Sequence, residues 1–292
     1  MTVGALRAAG ASLLRQHGVE SPELDASLLL AHLLQKNRTW LILNQGAYCD
    51  SRVQEQYFSL IDKRTAGVSV AYITGMKEFM GLEFMVNPKV LIPRPDTELL
   101  VEKALEWLQD RSSRALEPLK VLDLCTGSGC IGIALAYYHP IIKLTLSDIS
   151  EDALKISKTN AERLLGTEKG TSVRFIQSDL LSYFLEQKEQ FNLIVTNPPY
   201  VPSGIIPSLA REVQQEPSIA LDGGEDGLKL IFRLIAEARC ILKEGGTIFI
   251  ESDPSQISSI QEVLKNNGFH AIESYRDLSG SLRCTEGSKP NK

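Results

Sequence analysis

Lys120-Val121-Leu122-Asp123-Leu124-Cys125-Thr126-Gly127-Ser128-Gly129 is the stretch that decides the fold. A short apolar run ends in a turn of small residues and passes into a helical pattern near 129–138. A strand that turns through glycines into a helix is the opening half of a strand–helix–strand unit. The alternation continues downstream. Strand candidates lie at 120–124, 143–147, 173–176, 191–196 and 247–251, and helical patterns near 129–138, 151–165, 227–242 and 255–267 separate them. Such alternation predicts an α/β fold, a mostly parallel sheet with both faces covered. Two weaker strands, near 270–275 and 282–285, close the pattern, and residues 287–292 read as a frayed polar tail.

Upstream the periodicity is helical. Leu6, Leu13 and Leu14 share a face, and Ser21, Pro22 and Glu23 supply a cap, a first-turn proline and an early acid before Leu24, Leu28, Leu29 and Leu33. Asp50 opens a further amphipathic segment carrying Val53, Tyr57, Leu60 and Ile61. Their apolar stripes read as the core of a small bundle without catalytic content. Phe79-Met80-Gly81-Leu82-Glu83-Phe84 reads as a hairpin. Pro93, Arg94, Pro95 and Asp96 form a stiff loop, with Thr97 or Asp96 capping a helix through Leu99, Val101, Leu105 and Leu108. The expected organisation is a helical domain at 1–75, a β-hairpin linker at 76–92 and a catalytic domain at 93–292.

Of the 292 residues, 43% are hydrophobic and 23% charged, as in an ordinary globular enzyme. The net charge of -5 offers no global basic footprint for nucleic acid. Five scattered cysteines show neither zinc-site spacing nor a disulfide framework, so reduced thiols and no metal are expected. The first residues lack the regions of a secretion signal, and the longest apolar stretch, 130–146, is broken by His139, Pro140 and Lys143. A soluble, cytoplasmic, monomeric protein off the membrane follows as the expectation.

The glycine-rich turn alone is a weak indication. It fits a nicotinamide dinucleotide, a mononucleotide, S-adenosylmethionine or merely a tight turn. The next strands narrow the choice. Asp148, at the tip of the second, can accept both ribose hydroxyls of a nucleoside, while Ser150 is better placed to cap the following helix. Asp179 and Leu180 end the third strand, positioned to accept from an adenine amino group and to pack on its ring. Glycines, then acid, then acid at three successive strand ends suit a nucleoside better than a pyrophosphate.

The fourth strand ends in Asn197-Pro198-Pro199-Tyr200. The lone pair of a planar amide or ring-amino nitrogen is delocalised, so such a nitrogen attacks a sulfonium methyl poorly. It needs two acceptors that hold both its N–H bonds and aim it in line with the departing sulfur. The Asn197 side-chain oxygen and the Pro198 backbone carbonyl can be that pair. Pro198 and Pro199 stiffen the loop, and Tyr200 offers a stacking face. Alone, the tetrapeptide could equally be a buried Pro-Pro turn. His17, His32, His139 and His270 have no such context and read as structural or surface residues.

With these residues in view, the chain resembles the release-factor glutamine methyltransferases, the PrmC or HemK family, over nearly its whole length. The resemblance rests on residues 79–84, on Pro88 through Glu98, and on the glycine loop with Asp148 and Asn197 to Tyr200. It extends to Glu216-Pro217 and to Ala220-Leu221-Asp222-Gly223-Gly224 with Asp226-Gly227-Leu228. It implies a Rossmann-like, seven-stranded class I methyltransferase sheet with its last strand antiparallel, S-adenosylmethionine as cofactor, and a helical N-terminal domain that grips the partner. The implied acceptor is the glutamine of the Gly-Gly-Gln loop of class I peptide chain release factors. It further implies a cofactor site of Cys125, Thr126, Gly127, Ser128, Gly129, Asp148, Asp179, Leu180 and Asn197. Residues 93–97, Arg94 and Thr97 among them, would line the methionine end, and Asn197, Pro198, Pro199 and Tyr200 would be catalytic.

One residue departs from the family pattern: Cys125 stands where the family's first loop glycine belongs. If the position demands a positive φ, the change costs about 1 kcal/mol or more. Three rival readings remain: an adenine or guanine methyltransferase of DNA or RNA, a non-catalytic cofactor-binding protein, and a nicotinamide oxidoreductase. The first lacks a basic tract, the second is opposed by the intact acceptor loop, and the third has no use for that loop.

Overall fold

In the computed structural model, residues 1–113, 115–166 and 172–291 are described. They form two compact units: Met1–Met76 with Ala210–Gln215, and Lys77–Leu209 with the residues from Glu216 onward.

The first unit holds helices α1 (Val3–Gln16), α2 (Pro22–Leu34), α3 (Arg38–Leu43), α4 (Ser51–Thr65) and α5 (Val70–Thr74). Side-chain oxygens of Thr2, Asn37, Asp50 and Ser69 accept from the third residue onward and cap α1, α3, α4 and α5. For α2 the proline sits at the first turn as expected, but Ser21 makes no side-chain cap bond. Leu6, Leu14, Leu29, Leu30, Leu41 and Ile61 bury around Tyr57, whose hydroxyl donates to the Ala26 carbonyl at 3.1 Å. The buried Arg64 guanidinium pairs with Asp25 at 2.7 Å and with Glu212, from the later segment that returns to this unit. Unpaired, that cation would be costly to bury.

The second unit opens with strands β1 (Met76–Phe79) and β2 (Leu82–Met85), turned by Met80 (φ 52°) and Gly81 (φ 70°). Two positive-φ residues make the tight turn that matches strand twist. The hairpin is more than a linker. Its Phe79, Leu82 and Phe84 enter the core, and Asn160 clamps the Met85 backbone, accepting from its N–H at 2.7 Å and donating to its carbonyl at 3.0 Å.

The remaining elements are α6 (Glu98–Ser112), β3 (Leu119–Leu124), α7 (Cys130–Tyr138), β4 (Ile142–Asp148), α8 (Glu151–Leu165), β5 (Ser172–Gln177), α9 (Ser182–Glu186) and β6 (Phe191–Thr196). After these come α10 (Lys229–Ile241), β7 (Leu242–Glu251), α11 (Ile257–Asn266), β8 (His270–Arg276) and β9 (Leu282–Ser288). The sheet order is β5-β4-β3-β6-β7-β9-β8, seven strands as the resemblance implies. Strands β3 to β7 run parallel, and β9 runs antiparallel to both its neighbours. The chain starts at β3, works outward to β5, then crosses to β6 on the other side of β3. The carboxyl ends flanking such a reversal form the crevice where ligands of α/β sheets bind.

Alternate residues of each central strand enter opposite cores. Val121, Leu193, Val195 and Phe249 face α6 and α7, while Leu122, Leu124, Ile194, Ile248 and Ile250 face α10 and α11. Each fully buried side chain of this kind contributes roughly 1.5–3 kcal/mol. Two-sided burial is why these strands are continuous apolar runs.

Two local expectations need correction. Neither Asp96 nor Thr97 caps α6 with its side chain; a 3₁₀ turn over Pro95–Thr97 leads into it, Asp96 pairs with Arg283, and the Thr97 hydroxyl is engaged elsewhere. Nor is 287–291 frayed. Gly287 pairs with Ile248 in the sheet, and the Lys289 N–H donates to the Gly246 carbonyl at 2.8 Å. Lys292 lies outside the described residues.

Candidate active site

Five parallel strands deliver their last residues to one edge of the sheet. At the end of β3, Cys125 (φ 57°), Gly127 (φ 54°) and Gly129 (φ 83°) all take the left-handed conformation. The loop is anchored from below by Asp123, fully buried, whose Oδ2 accepts from the Thr126 hydroxyl at 2.6 Å and the Gly132 N–H at 2.9 Å. Burial outweighs those bonds and lifts the Asp123 carboxyl to about 7.

Asp148 closes β4. Its Oδ2 accepts from the Gly127 N–H and its Oδ1 from the Ser150 N–H, both at 2.9 Å. The carboxylate therefore ties the two strand-end loops together, and each oxygen keeps a lone pair for another donor. Burial raises its pKa in spite of the amide bonds. Ser150, not Asp148, caps α8, accepting from Ala153 at 3.2 Å. Beyond β5, Leu180 is buried with φ 47°, held by a Ser178 hydroxyl that donates to its carbonyl. The Asp179 carboxylate takes one Arg233 nitrogen at 2.9 and 3.0 Å.

These ends surround a cavity of ≈ 390 Å³, within the ~300–1,000 Å³ usual for small-molecule sites. Cys125, Gly127, Asp148, Asp179, Leu180 and Asn197 line it. Pro199 of the acceptor loop lines it too, and residues 89–91 and Ser218–Ala220, of which 89–91 and Ala220 fall in the stretches that carry the resemblance, were not expected to touch the cofactor.

Other expected residues are not brought to this wall. Thr126 is turned down onto Asp123, and Ser128 and Gly129 lie behind the loop against α8, where the Asn160 amide donates to the Ser128 carbonyl at 2.9 Å. Arg94 points to Glu216, a buried carboxylate that also accepts from the Ile92 N–H at 3.2 Å. Thr97 is buried one layer back, its hydroxyl accepting from Asn197. Pro198 and Tyr200 also stand off the cavity wall.

The end of β6 carries the acceptor loop. Both N–H bonds of the Asn197 amide are committed: Nδ2 donates to Glu251 Oε1 at 2.8 Å and to Thr97 Oγ1 at 3.2 Å. Among the described residues, nothing donates to Asn197 Oδ1 or to the Pro198 carbonyl. The Tyr200 hydroxyl donates to the same Glu251 oxygen at 3.4 Å, and burial raises its pKa. The loop is buttressed from outside: the Gly223 N–H donates to the Val201 carbonyl and Gln256 to the Tyr200 carbonyl, each at 2.9 Å. A Cβ on Gly227 would fall 2.1 Å from the Tyr200 oxygen, so only glycine fits against the loop there. The site thus offers Asn197 Oδ1 on the cavity wall and the Pro198 carbonyl in the next residue as two acceptors that receive no donor among the described residues.

Glu251 and Arg233 escaped the sequence reading. Glu251 ends a strand as Asp148 does, and that shared position is the mark by which it could have been found. Arg233 sits on α10 with nothing local to distinguish it from a solvated charge.

Residues 5–75 match the family model described as PrmC N-terminal domain, and residues 97–213 that of the Methyltransferase small domain. A release factor glutamine methyltransferase of Clostridium acetobutylicum is 39% identical over 269 residues, covering 92% of each chain. One of Burkholderia pseudomallei is 37% identical over 285 residues, 97% of each chain. One of Koribacter versatilis is 40% identical over 272 residues, again 92% of each. Among solved structures, a methyltransferase from Pyrococcus furiosus superposes with a TM-score of 0.50 at 18% identity, over 72% of this chain and 90% of that one. A T. thermophilus 16S rRNA N2 G1207 methyltransferase in complex with AdoMet and guanosine gives 0.50 at 19%, over 73% and 49%. At such identities the structural likeness speaks for the sheet and its helices alone.

Proposed function

The chain belongs to the release factor glutamine methyltransferases, and from that membership we propose that its acceptor is the side-chain amide nitrogen of the glutamine in the Gly-Gly-Gln loop of class I peptide chain release factors. It is an S-adenosylmethionine-dependent methyltransferase. When bound, the cofactor supplies an electrophilic methyl on a sulfonium sulfur.

The residues present fit that cofactor. Asp148 has a free lone pair on each oxygen for the two ribose hydroxyls, Leu180 is a buried apolar surface for the base, and Asp179, steadied by Arg233, is an acceptor for its amino group. Cys125, Gly127 and Asn197 bound the rest of the cavity. Thr126, Ser128 and Gly129 shape the loop, and Arg94 and Thr97 hold the segment behind Asn197.

The observation that carries the choice of acceptor is the Asn197 amide, fixed by its NH₂ end so that Oδ1 is left to accept. With the Pro198 carbonyl it makes a pair of acceptors matched to a flat NH₂ group, while Pro199 stiffens the loop and Tyr200 supports it from Glu251. No side chain is needed as a general base, because the acceptor's proton can leave to solvent.

In this reading residues 1–75 recognise the release factor, 76–92 join them to the catalytic domain at 93–292, and the protein acts as a monomer in the cytoplasm. Among the described residues no helix is long and apolar enough to cross a membrane. A net charge of -5 disfavours nucleic acid as partner. The test is mass spectrometry of a purified release factor after incubation with protein and cofactor. One added methyl on the Gly-Gly-Gln glutamine is expected. Label from methyl-labelled cofactor entering RNA or DNA instead would overturn the assignment.

A further inference from the structure

Glu251 ends β7 directly behind Asn197, buried to 2% exposure. Its Oε1 accepts from Asn197 Nδ2 at 2.8 Å and from the Tyr200 hydroxyl at 3.4 Å, and its Oε2 has no partner among the described residues. An asparagine amide is nearly symmetric in shape, so rotation by half a turn exchanges oxygen for NH₂ at little steric cost. What lies behind the amide must therefore decide which end faces the cavity. The Thr97 hydroxyl can donate or accept and does not discriminate. An ionised carboxylate only accepts, and can hold only the NH₂ end.

We propose that Glu251 is a positioning residue that locks the Asn197 amide with Oδ1 toward the acceptor nitrogen. This rests on the role given to Asn197 above. With the amide reversed, two N–H donors would face an acceptor group that itself presents N–H bonds, and the clamp would be lost.

The lock has a protonation state. Burial lifts the Glu251 carboxyl to about 7. The nearby groups are Asp96 and Thr97 ahead of α6, Tyr200 in the acceptor loop, Arg283 and Cys284 on β9, and Cys130 at the start of α7. Asp96 pushes the value up, whereas Thr97, Tyr200 and Arg283 pull it down. Once protonated, the carboxyl can donate to Asn197 Oδ1 and hold the reversed amide. Turnover therefore falls as pH drops through the range in which Glu251 gains its proton.

The experiment compares wild type, Glu251→Gln and Glu251→Met with a purified release factor as acceptor. It reads kcat and KM against pH, and the cofactor dissociation constant by calorimetry. Glu251→Met keeps the volume and removes the acceptor; kcat should fall about 30- to 100-fold, with KM and the cofactor constant within about threefold. Glu251→Gln can hold either orientation and should lose about tenfold in kcat, together with the acidic limb near neutrality that wild type shows. Should Glu251→Met not fold, the limb in Glu251→Gln still decides. Wild-type kcat in Glu251→Met, or an unchanged acidic limb in Glu251→Gln, overturns the proposal while leaving the acceptor assignment intact. A wild-type protein that does not methylate the release factor sinks both.

Discussion

Cys125 is the residue at which the loop departs from glycine, and its backbone is left-handed, φ 57°. An L-residue held there costs about 1–2 kcal/mol that glycine does not incur. At an ordinary position glycine is instead about 0.5–1 kcal/mol worse than alanine, through the entropy of the unfolded chain. The difference predicts Cys125→Gly to be more stable than Cys125→Ala by roughly 0.5–1 kcal/mol, an inversion of the usual order. Removing the half-buried thiol, which packs beside Leu124 and Leu180, is common to both variants and cancels. In the thermal midpoint of the larger unit the inversion amounts to roughly 1–4 °C. Differential scanning calorimetry at one pH reads it, and titration calorimetry reads the cofactor constant, expected unchanged or lower for Cys125→Gly. Alanine at or above glycine in stability, or a clear loss of cofactor affinity in Cys125→Gly, would refute the strain assigned to this turn.

Asp148→Ala removes both hydroxyl acceptors and orphans the Gly127 and Ser150 amides; cofactor affinity should fall about 10- to 100-fold by calorimetry, and an unchanged constant would take Asp148 out of the site. Burial lifts the Asp123 carboxyl from the ordinary 3.8 of an aspartate to about 7, so the native state keeps its proton to higher pH. Its contribution is fully present below the unfolded pKa and is lost as pH rises through 7, by up to roughly 4 kcal/mol. The stability of wild type relative to Asp123→Asn should accordingly decline between pH 4 and pH 8 in denaturant titrations, and a gap independent of pH would contradict it. Tyr200 stands off the cavity wall, so Tyr200→Ala should raise KM for the release factor and leave the cofactor constant alone.

Much of this architecture is written in local patterns. Strands β3, β4 and β6 are legible because burial on both faces leaves short apolar runs between turns, whereas β5, partly exposed at the sheet edge, shows only Val173, Phe175 and Ile176 among polar neighbours. The first half of β7 is not, since Lys243, Glu244, Gly245 and Gly246 interrupt the pattern, and the two glycines are held by backbone bonds to Lys289. Gly287 and Ser288 were obscured for the same reason: their place in β9 comes from the ladder to β7, to which a Gly-Ser composition is blind. In the site, Asp148, Asp179 and Asn197 stand at strand ends and announce themselves. What they touch does not. Glu251 lies 54 positions from Asn197, Arg233 the same number from Asp179, and Arg94 meets Glu216 at a separation of 122. Only the folded sheet brings those partners together.

The clamp around Asn197 is tested most directly by a crystal structure with demethylated cofactor and a Gly-Gly-Gln peptide bound. Expected are Asn197 Oδ1 and the Pro198 carbonyl each about 2.6–3.2 Å from the glutamine side-chain nitrogen, with Asn197 Nδ2 still on Glu251. A glutamine seated away from residue 197, or an Asn197 amide turned with Nδ2 toward it, would contradict the acceptor site described above.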